Sequence, residues 1–212
     1  MARYLTGIIV ATDDERIFDE ARRCGARVRM TRADHASGTD RVAEIASAED
    51  SEIIVNIQGD EPLIDPAAID AALLPMLDDS ALQMCTLKKR IENPREIDDP
   101  NVVKVVTDRA CNAIYFSRST IPYVRQGGAV RTIHYKHIGL YVYRRDFLLA
   151  YPDLPIGPLE QAERLEQLRA LENGYDIRVV ETEYESIGID TPEDLERVTR
   201  LFEAAESGIK HG

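Results

Sequence analysis

The fold of this chain is decided by the stretch Ile53-Ile54-Val55-Asn56-Ile57-Gln58-Gly59-Asp60-Glu61-Pro62. Its apolar, mostly β-branched beginning predicts a buried strand. Gly59 allows a tight turn directly after that strand, and Pro62 ends further pairing. Ligands bind beyond the carboxyl ends of strands in open α/β sheets, so we expect Asp60 to face a ligand such as a metal ion. An ordinary strand followed by an acidic turn is the competing interpretation.

Composition indicates an ordinary globular protein with an acidic surface. The chain has 212 residues, of which 44% are hydrophobic and 30% charged, and this suits one sizeable domain. A net charge of −12 argues against a nucleic-acid partner. Its three cysteines form no Cys-x-x-Cys pair, which fits a reducing compartment. Neither a membrane span nor a signal peptide is recognisable, so we expect a cytoplasmic protein without membrane insertion.

Strand and helix patterns alternate along the chain and predict the α/β class, with a doubly wound, mostly parallel sheet. The first strand, helix and second strand should form a right-handed βαβ unit. Strands are predicted over residues 7–12, 27–30, 53–57, 82–87, 102–106, 113–118, 134–143 and 177–180. Helices are predicted from 13 to 24, 41–48, 65–77, 146–151, 159–173 and from 192 to about 205.

A polar segment, residues 31–41, is a candidate ligand loop. It leads into a helix, and hydroxyl groups beside the free N–H groups of a helix N-terminus can hold an anion or a sugar. An ordinary capping loop with Ser37 or Thr39 as N-cap explains the same residues. His35 alone is more typical of a surface or capping histidine than of a catalytic one. The segment therefore predicts a binding site only together with other motifs.

Seven motifs occur in one order along nearly the whole chain. They are Val10-Ala11-Thr12-Asp13-Asp14-Glu15, residues 31–41, Gln58-Gly59-Asp60-Glu61-Pro62, Tyr115-Phe116-Ser117-Arg118, His137-Ile138-Gly139-Leu140-Tyr141, Leu165-Glu166-Gln167-Leu168-Arg169 and Gly188-Ile189-Asp190-Thr191-Pro192-Glu193-Asp194. Each motif alone is weak, but the ordered set resembles the 3-deoxy-manno-octulosonate (Kdo) cytidylyltransferases. The resemblance implies a nucleotide-diphospho-sugar transferase-like fold. It also implies a single nucleotidyltransferase domain over residues 1–212, in which residues from about 101 to 145 form a small antiparallel subdomain for dimerisation and sugar binding.

The resemblance implies transfer of CMP from CTP to the sugar acid Kdo, with release of pyrophosphate, for lipopolysaccharide biosynthesis. It implies Mg²⁺ held by Asp60 and Asp190, which are also the expected catalytic residues, and a homodimer. The CTP site is expected at Thr31, His35, Ser37, Gly38 and Thr39. The sugar-acid pocket is expected at Gln58, Arg118, His137, Tyr141, Glu166 and Gln167.

Other interpretations remain for several of these residues. Arg118 can pair bidentately with a carboxylate, and this suits a sugar acid. Asp190 can instead be a turn acid beside a helix cap, Glu166 can lie on a solvated helix face, and Tyr141 can be a core residue. The alternatives for the chain are another sugar nucleotidyltransferase, such as a CMP-sialate synthetase, or a non-catalytic remnant that binds a sugar acid or a partner subunit.

The sequence departs from the family pattern at its beginning. The family's first strand, its phosphate loop with an Arg and a Lys, and most of its first helix have no counterpart before residues 2–5, so the fold is expected to be N-terminally truncated. The absent strand would be central in the sheet, so we expect its neighbours to show unpaired backbone groups or to bury less apolar surface. We also expect weak or no activity from this chain alone.

Overall fold

A computed structural model describes residues 2–125, 132–185, 188–189 and 191–209 of the protein. These residues form eight strands: β1 (Val10–Thr12), β2 (Val28–Met30), β3 (Ile53–Asn56), β4 (Met84–Arg90), β5 (Lys104–Thr107), β6 (Ala113–Ser117), β7 (Tyr135–Arg144) and β8 (Ile177–Glu181). The α-helices are α1 (Glu15–Arg23), α2 (Gly38–Ser47), α3 (Pro66–Asp78), α4 (Arg145–Ala150), α5 (Pro158–Glu163), α6 (Leu168–Glu172) and α7 (Pro192–Ile209). Short 3₁₀ turns cover Pro94–Glu96 and Tyr151–Asp153. The α/β class is confirmed.

Six strands form the main sheet, in the order β6-β5-β7-β4-β8, with β3 also joined to β7. The long strand β7 runs antiparallel to β3, β4 and β5, whereas β8 is parallel to β4 and β6 is antiparallel to β5. Therefore β3, β4, β5 and β8 share one direction, and β6 and β7 run the other way. Four of these six strands therefore run in the same direction. Most neighbouring pairs are nevertheless antiparallel, because β7 runs against β3, β4 and β5.

Strands β1 and β2 form a separate parallel pair, as the predicted βαβ unit requires. Within the described residues, β1 pairs only with β2 and β3 pairs only with β7. Helix α2 packs against both β1 and β3. Ile8, just before β1, is 66% exposed, and Ile53 and Val55 of β3 are only half-buried.

The core lies on both faces of the main sheet. One cluster joins residues of α2, α4 and α6 to the sheet and includes Tyr143, Phe147 and Tyr151. The other joins α3 to the sheet and includes Met76 and Val142. Since neighbouring residues of a strand point to opposite faces, Tyr141 and Tyr143 share the α2 and α4 side. This alternation places His137 and Tyr141 of β7 on the α2 and α4 side of the sheet.

The prediction of one helix over residues 159–173 is wrong. Helix α5 ends at Glu163, Arg164 adopts the left-handed conformation with φ of 53°, and α6 begins only at Leu168. An ion pair between Arg169 and Glu160, with an N–O distance of 2.6 Å, folds α6 against α5. The residues between the two helices therefore lie in a turn rather than on a helix face.

Smaller differences concern element ends. Helix α2 begins at Gly38, three residues earlier than predicted, because Ser37 is its N-cap. Strand β4 continues through Lys88, Lys89 and Arg90, which were expected to end it. Among the described helices, none has the length and apolarity needed to cross a membrane.

Candidate active site

The predicted site residues come from six segments, three of which are joined by direct contacts at the beginning of α2. The Thr39 hydroxyl donates a hydrogen bond of 3.0 Å to Oε2 of Glu166, in the turn between α5 and α6. Gly38 lies against the side chain of Gln58, since a Cβ added there would be 3.8 Å from the Gln58 Oε1 atom. The polar loop, the residues after β3 and the α5–α6 turn therefore meet at one place.

The first turn of α2 combines a helix cap with a polar surface. Ser37 has an extended backbone and its Oγ accepts a hydrogen bond of 3.2 Å from the Asp40 N–H. The capping interpretation is thus confirmed for Ser37. Thr39 is not the cap, because its buried hydroxyl faces Glu166 instead. Backbone N–H groups at such a helix start are suited to a phosphate or a sugar oxygen.

His35 and Thr31 hold the loop to the rest of α2. The Nε2 atom of His35 makes a short hydrogen bond to the Glu44 carboxylate, which lowers the pKa of Glu44. The hydroxyl of Thr31 accepts from Arg41, whose guanidinium also pairs with Asp13 at 3.0 Å. These contacts fix the loop before any ligand binds, and they leave the other ring nitrogen of His35 for one.

Glu166 is largely enclosed rather than on a solvated helix face. Its Oε2 accepts from Thr39, whereas its Oε1 is buried and has no partner among the described residues. Burial raises the pKa of Glu166, and the hydrogen bond from Thr39 opposes that rise. The Tyr151 hydroxyl donates to the Glu166 carbonyl at 2.6 Å and fixes the turn. The Oε1 atom of Glu166 is therefore an acceptor that can bind a donor other than a described side chain.

A row of aromatic rings on β7 forms another wall. The rings of His137 and Tyr141 have centroids 5.4 Å apart, and those of Tyr141 and Tyr143 are 6.0 Å apart. Nε2 of His137 lies 2.9 Å from the Thr86 hydroxyl. Burial lowers the pKa of His137 to about 3 and raises that of Tyr141. Both groups are therefore neutral at pH 7. Tyr141 packs on the core as the alternative interpretation held, yet it stays partly exposed.

Arg118 follows β6 and is anchored by main-chain oxygens. Its Nε donates to the Glu163 carbonyl at 2.8 Å, and Nη1 donates to the Pro100 carbonyl at 3.1 Å. Lys104 donates to the Arg118 carbonyl at 2.6 Å and thereby fixes the backbone as well. Two guanidinium N–H groups are used in this way, and the remaining ones can face an anion.

The two expected metal ligands are described unequally. Asp60 is exposed beyond β3, and Asp190 lies outside the described residues. The N–H of Ile189 donates to the Asp60 carbonyl at 3.0 Å, so the segment preceding α7 runs beside Asp60. In the described part of the chain, no three His, Cys, Asp or Glu residues form a metal-binding group. Mg²⁺ commonly takes one or two carboxylates together with substrate phosphates, so an exposed Asp60 is compatible with it.

Gln167 is buried, in contrast to the exposed Gln58. Asn56 and Asp40 were not among the predicted site residues, although each has a buried polar atom without a partner in the described part of the chain. One signal was present for Asn56, since an amide interrupts an otherwise apolar strand. The signal for Asp40 was weaker: it is the acidic residue of the Ser37-Gly38-Thr39-Asp40 motif.

Comparison with known proteins assigns the family. The model of the cytidylyltransferase family matches residues 2–179. A 3-deoxy-manno-octulosonate cytidylyltransferase of Solibacter usitatus (strain Ellin6076) is 72% identical over 205 residues, which cover 97% of this chain and 81% of that relative. The chain belongs to this family. The corresponding protein of Geobacter metallireducens is 55% identical over 206 residues, with 93% of this chain and 81% of the relative covered.

Solved structures agree with this membership. A CMP:2-keto-3-deoxy-manno-octonic acid synthetase complexed with CTP matches with a TM-score of 0.91 and 42% identity, covering 97% of this chain and 84% of that one. HddC from Yersinia pseudotuberculosis matches with a TM-score of 0.60 at 13% identity, over 92% of this chain and 78% of its own, and shows only that the fold is shared. The cytidylyltransferase thus has the nucleotidyltransferase architecture that its motifs predicted.

Proposed function

We propose that this cytidylyltransferase transfers CMP from CTP to Kdo and releases pyrophosphate. The observation that carries the proposal is the Thr39–Glu166 hydrogen bond, which joins the expected nucleotide loop to the expected sugar pocket. The names of the relatives and the CTP complex of a similar structure support both substrates. A CMP-sialate synthetase or a binding remnant has no comparable support.

In the proposed reaction, each segment has a separate task. The first turn of α2 binds the nucleotide through its backbone N–H groups and hydroxyls. Arg118 pairs with the Kdo carboxylate, and Gln58, Glu166 and Gln167 bind sugar hydroxyls. His137 and Tyr141 are neutral and orient the sugar by hydrogen bonds. Orientation of the two substrates is a large part of catalysis for a phosphoryl-transfer reaction of this type.

The proposal includes Mg²⁺ held by Asp60 and Asp190. A magnesium ion there would offset the negative charge of the triphosphate, which otherwise meets a chain of net charge −12. The exposed position of Asp60 and the Ile189–Asp60 hydrogen bond support this pair.

A homodimer in the cytoplasm completes the proposal. Ile114 on β6 is 61% exposed, and Tyr123 is 83% exposed in the segment that follows β6. Exposed apolar side chains such as these suit a partner surface in the proposed antiparallel subdomain of residues from about 101 to 145. The three cysteines are free thiols, which suits a reducing compartment.

The test is pyrophosphate release from CTP, Kdo and Mg²⁺, with Asp60→Asn as control. Release that the variant loses by at least a hundredfold would support the proposed reaction and the role of Asp60. Faster release with neuraminic acid than with Kdo would favour a CMP-sialate synthetase. Binding of Kdo without any release, by a protein that melts cooperatively, would favour the binding remnant.

A further inference from the structure

Three buried polar atoms have no hydrogen-bond partner within the described residues. They are Oδ1 of Asp40, Nδ2 of Asn56 and Oε1 of Glu166. Buried polar atoms in folded proteins are nearly always paired, since an unpaired one loses its bonds to water and gains nothing. All three belong to the segments that meet at the beginning of α2. Their common location indicates a shared partner that is not a protein side chain.

Asn56 points into this place from the sheet. Its side chain is only 4% exposed, and its backbone is paired opposite Tyr141 of β7. Residues 54 and 56 of β3 share one face, and Ile54 packs into the cluster that contains Tyr143 and the buried alanines of α2. The Asn56 amide therefore lies on the face of the sheet covered by α2, at the carboxyl end of its strand.

Asp40 approaches this place from α2, and Glu166 approaches it from the α5–α6 turn. Asp40 follows Thr39, whose hydroxyl is bonded to Glu166. The charge of Asp40 acts on the Glu166 carboxylate, and the charge of Glu166 acts on Tyr141. The Asp40 and Glu166 carboxylates are thus near each other, and Asn56 is connected to them through Tyr141, its cross-strand neighbour on β7.

The unpaired set is one amide donor with two carboxylate acceptors, and this restricts the ligand group. A phosphate or a carboxylate would meet two like charges, which is unfavourable in a partly buried place. A hydroxyl group donates one hydrogen bond and accepts others. Two adjacent hydroxyls can donate one bond to each carboxylate and accept from the amide, which satisfies all three atoms.

We propose that Asn56 and Asp40 are ligand-contacting residues that, together with Glu166, bind a vicinal diol of the substrate. This inference rests on the proposed function, and it adds two residues that no motif had assigned to the sugar site. Both the ribose of CTP and the sugar acid carry vicinal hydroxyls, so the chemistry is common to the two substrates. Separate measurements of CTP binding and Kdo binding show which of the two substrates supplies the diol.

The experiment compares wild type, Asn56→Leu, Asn56→Thr and the control Asn173→Ala. Leucine keeps the size of asparagine and removes its donor, whereas threonine retains a hydroxyl donor on a β-branched side chain that suits a strand. The amide of Asn173 already donates to the carbonyls of Pro155 and Arg169, at 3.1 and 2.8 Å. Dissociation constants are measured by calorimetry for CTP alone, and for Kdo in the presence of saturating CMP. Melting temperatures are measured without ligand.

The expected result is about a tenfold weaker binding of one of the two ligands by Asn56→Leu, with partial recovery in Asn56→Thr. Without ligand, Asn56→Leu should melt at the wild-type temperature or above it, because it removes an unpaired amide. The Asn173→Ala variant should melt at a lower temperature than wild type, because it removes an amide that is hydrogen-bonded. A structural role for Asn56 would lower the melting temperature of the leucine variant as well.

Two results would overturn the inference. Unchanged binding of both ligands by Asn56→Leu would show that only water meets the amide. A melting temperature clearly below wild type would show that the amide is already paired inside the protein. If wild type binds neither CTP nor Kdo, the proposed function fails separately, and the melting comparison still decides whether the Asn56 amide is unpaired.

Discussion

The Thr39 hydroxyl and the Glu166 carboxylate are 3.0 Å apart, although the two residues are separated by 127 positions in the sequence. This contact fixes the beginning of α2 against the α5–α6 turn. It also uses one of the two carboxylate oxygens, so the other is aimed at the site by the same bond.

Thr39→Val tests that arrangement. Valine keeps the shape of threonine and removes the hydroxyl, so Glu166 loses a donor and its remaining oxygen is less well oriented. We expect KM for Kdo to rise about fivefold, the effect of one ordinary hydrogen bond. Thr199→Val is the control, since the exposed Thr199 hydroxyl donates to the Leu195 carbonyl of the same helix, α7. Equal KM values in the two variants would contradict the positioning role.

Arg118→Lys should weaken sugar-acid binding. A lysine keeps the charge but cannot present a planar pair of N–H groups to a carboxylate, so KM for Kdo should rise about tenfold while KM for CTP changes little. Arg145→Lys is a matched control, because Arg145 also donates to two main-chain carbonyls, those of Ala46 and Ser47. A similar KM increase in both variants would assign the effect to lost anchoring alone.

His137 should make stability depend on pH. Burial lowers its pKa from the ordinary 6.5 to about 3. Between these values the unfolded chain binds a proton that the folded protein does not, so the free energy of unfolding falls as the pH drops from 6.5 towards 3. The slope from this group is at most about 1.4 kcal/mol per pH unit.

The measurement for His137 is urea unfolding at several pH values from 7 to 4, for wild type and His137→Gln. Glutamine does not titrate, so the unfolding free energy of the His137→Gln variant should fall less steeply than that of wild type over this interval. Parallel curves for the two proteins would show that the imidazole titrates normally in the folded state.

Gly157→Ala should destabilise α5. An added Cβ would lie 2.2 Å from the carboxyl carbon of Glu172. That carboxylate accepts from the N–H groups of Leu159 and Glu160, at 2.9 and 3.0 Å, and caps the helix. Displacing it should cost about 1–2 kcal/mol of unfolding free energy. Gly139→Ala is the control for chemical denaturation, since nothing lies within 4 Å of its added Cβ.

The oligomeric state offers a further test. If β6 contributes to a homodimer, Ile114→Glu should place a charge at the interface and convert the dimer to a monomer, as measured by light scattering after size-exclusion chromatography. The matched control is Ile156→Glu, at another exposed isoleucine in the segment before α5. A wild-type monomer at micromolar concentration would contradict the proposal.

Local patterns predicted most elements because their determinants are local. Asp14 and Thr191 cap N–H groups that lie close to them in the sequence. The beginnings of α1 and α7 could therefore be predicted. The end of α5 was not, because a left-handed arginine carries no sequence signal comparable to glycine. The break is accompanied by the Arg169–Glu160 ion pair between α6 and α5, a contact that no local pattern in the sequence predicts.

The same distinction holds for the site. Residue types at Asp60 and Arg118 indicated metal and carboxylate chemistry, and the ordered motifs indicated the family. Glu166 contacts Thr39 because the helix breaks after α5. The periodicity of the sequence does not predict that break. The unpaired amide of Asn56 is likewise a property of packing, since pairing is decided by distant segments.

The separation of β1 and β2 from the main sheet has a consequence for cooperativity. Their ladder is three residues long, and α1 between them has no buried residue. Strands β4 and β7 pair along almost their whole lengths within the core. Amide hydrogens of residues 10–30 should therefore exchange with solvent deuterium through a local opening of low free energy, and those of β4 and β7 only through global unfolding. This protein would then contain two foldons, of which the smaller carries Asp13, the acid that pairs with Arg41 of α2.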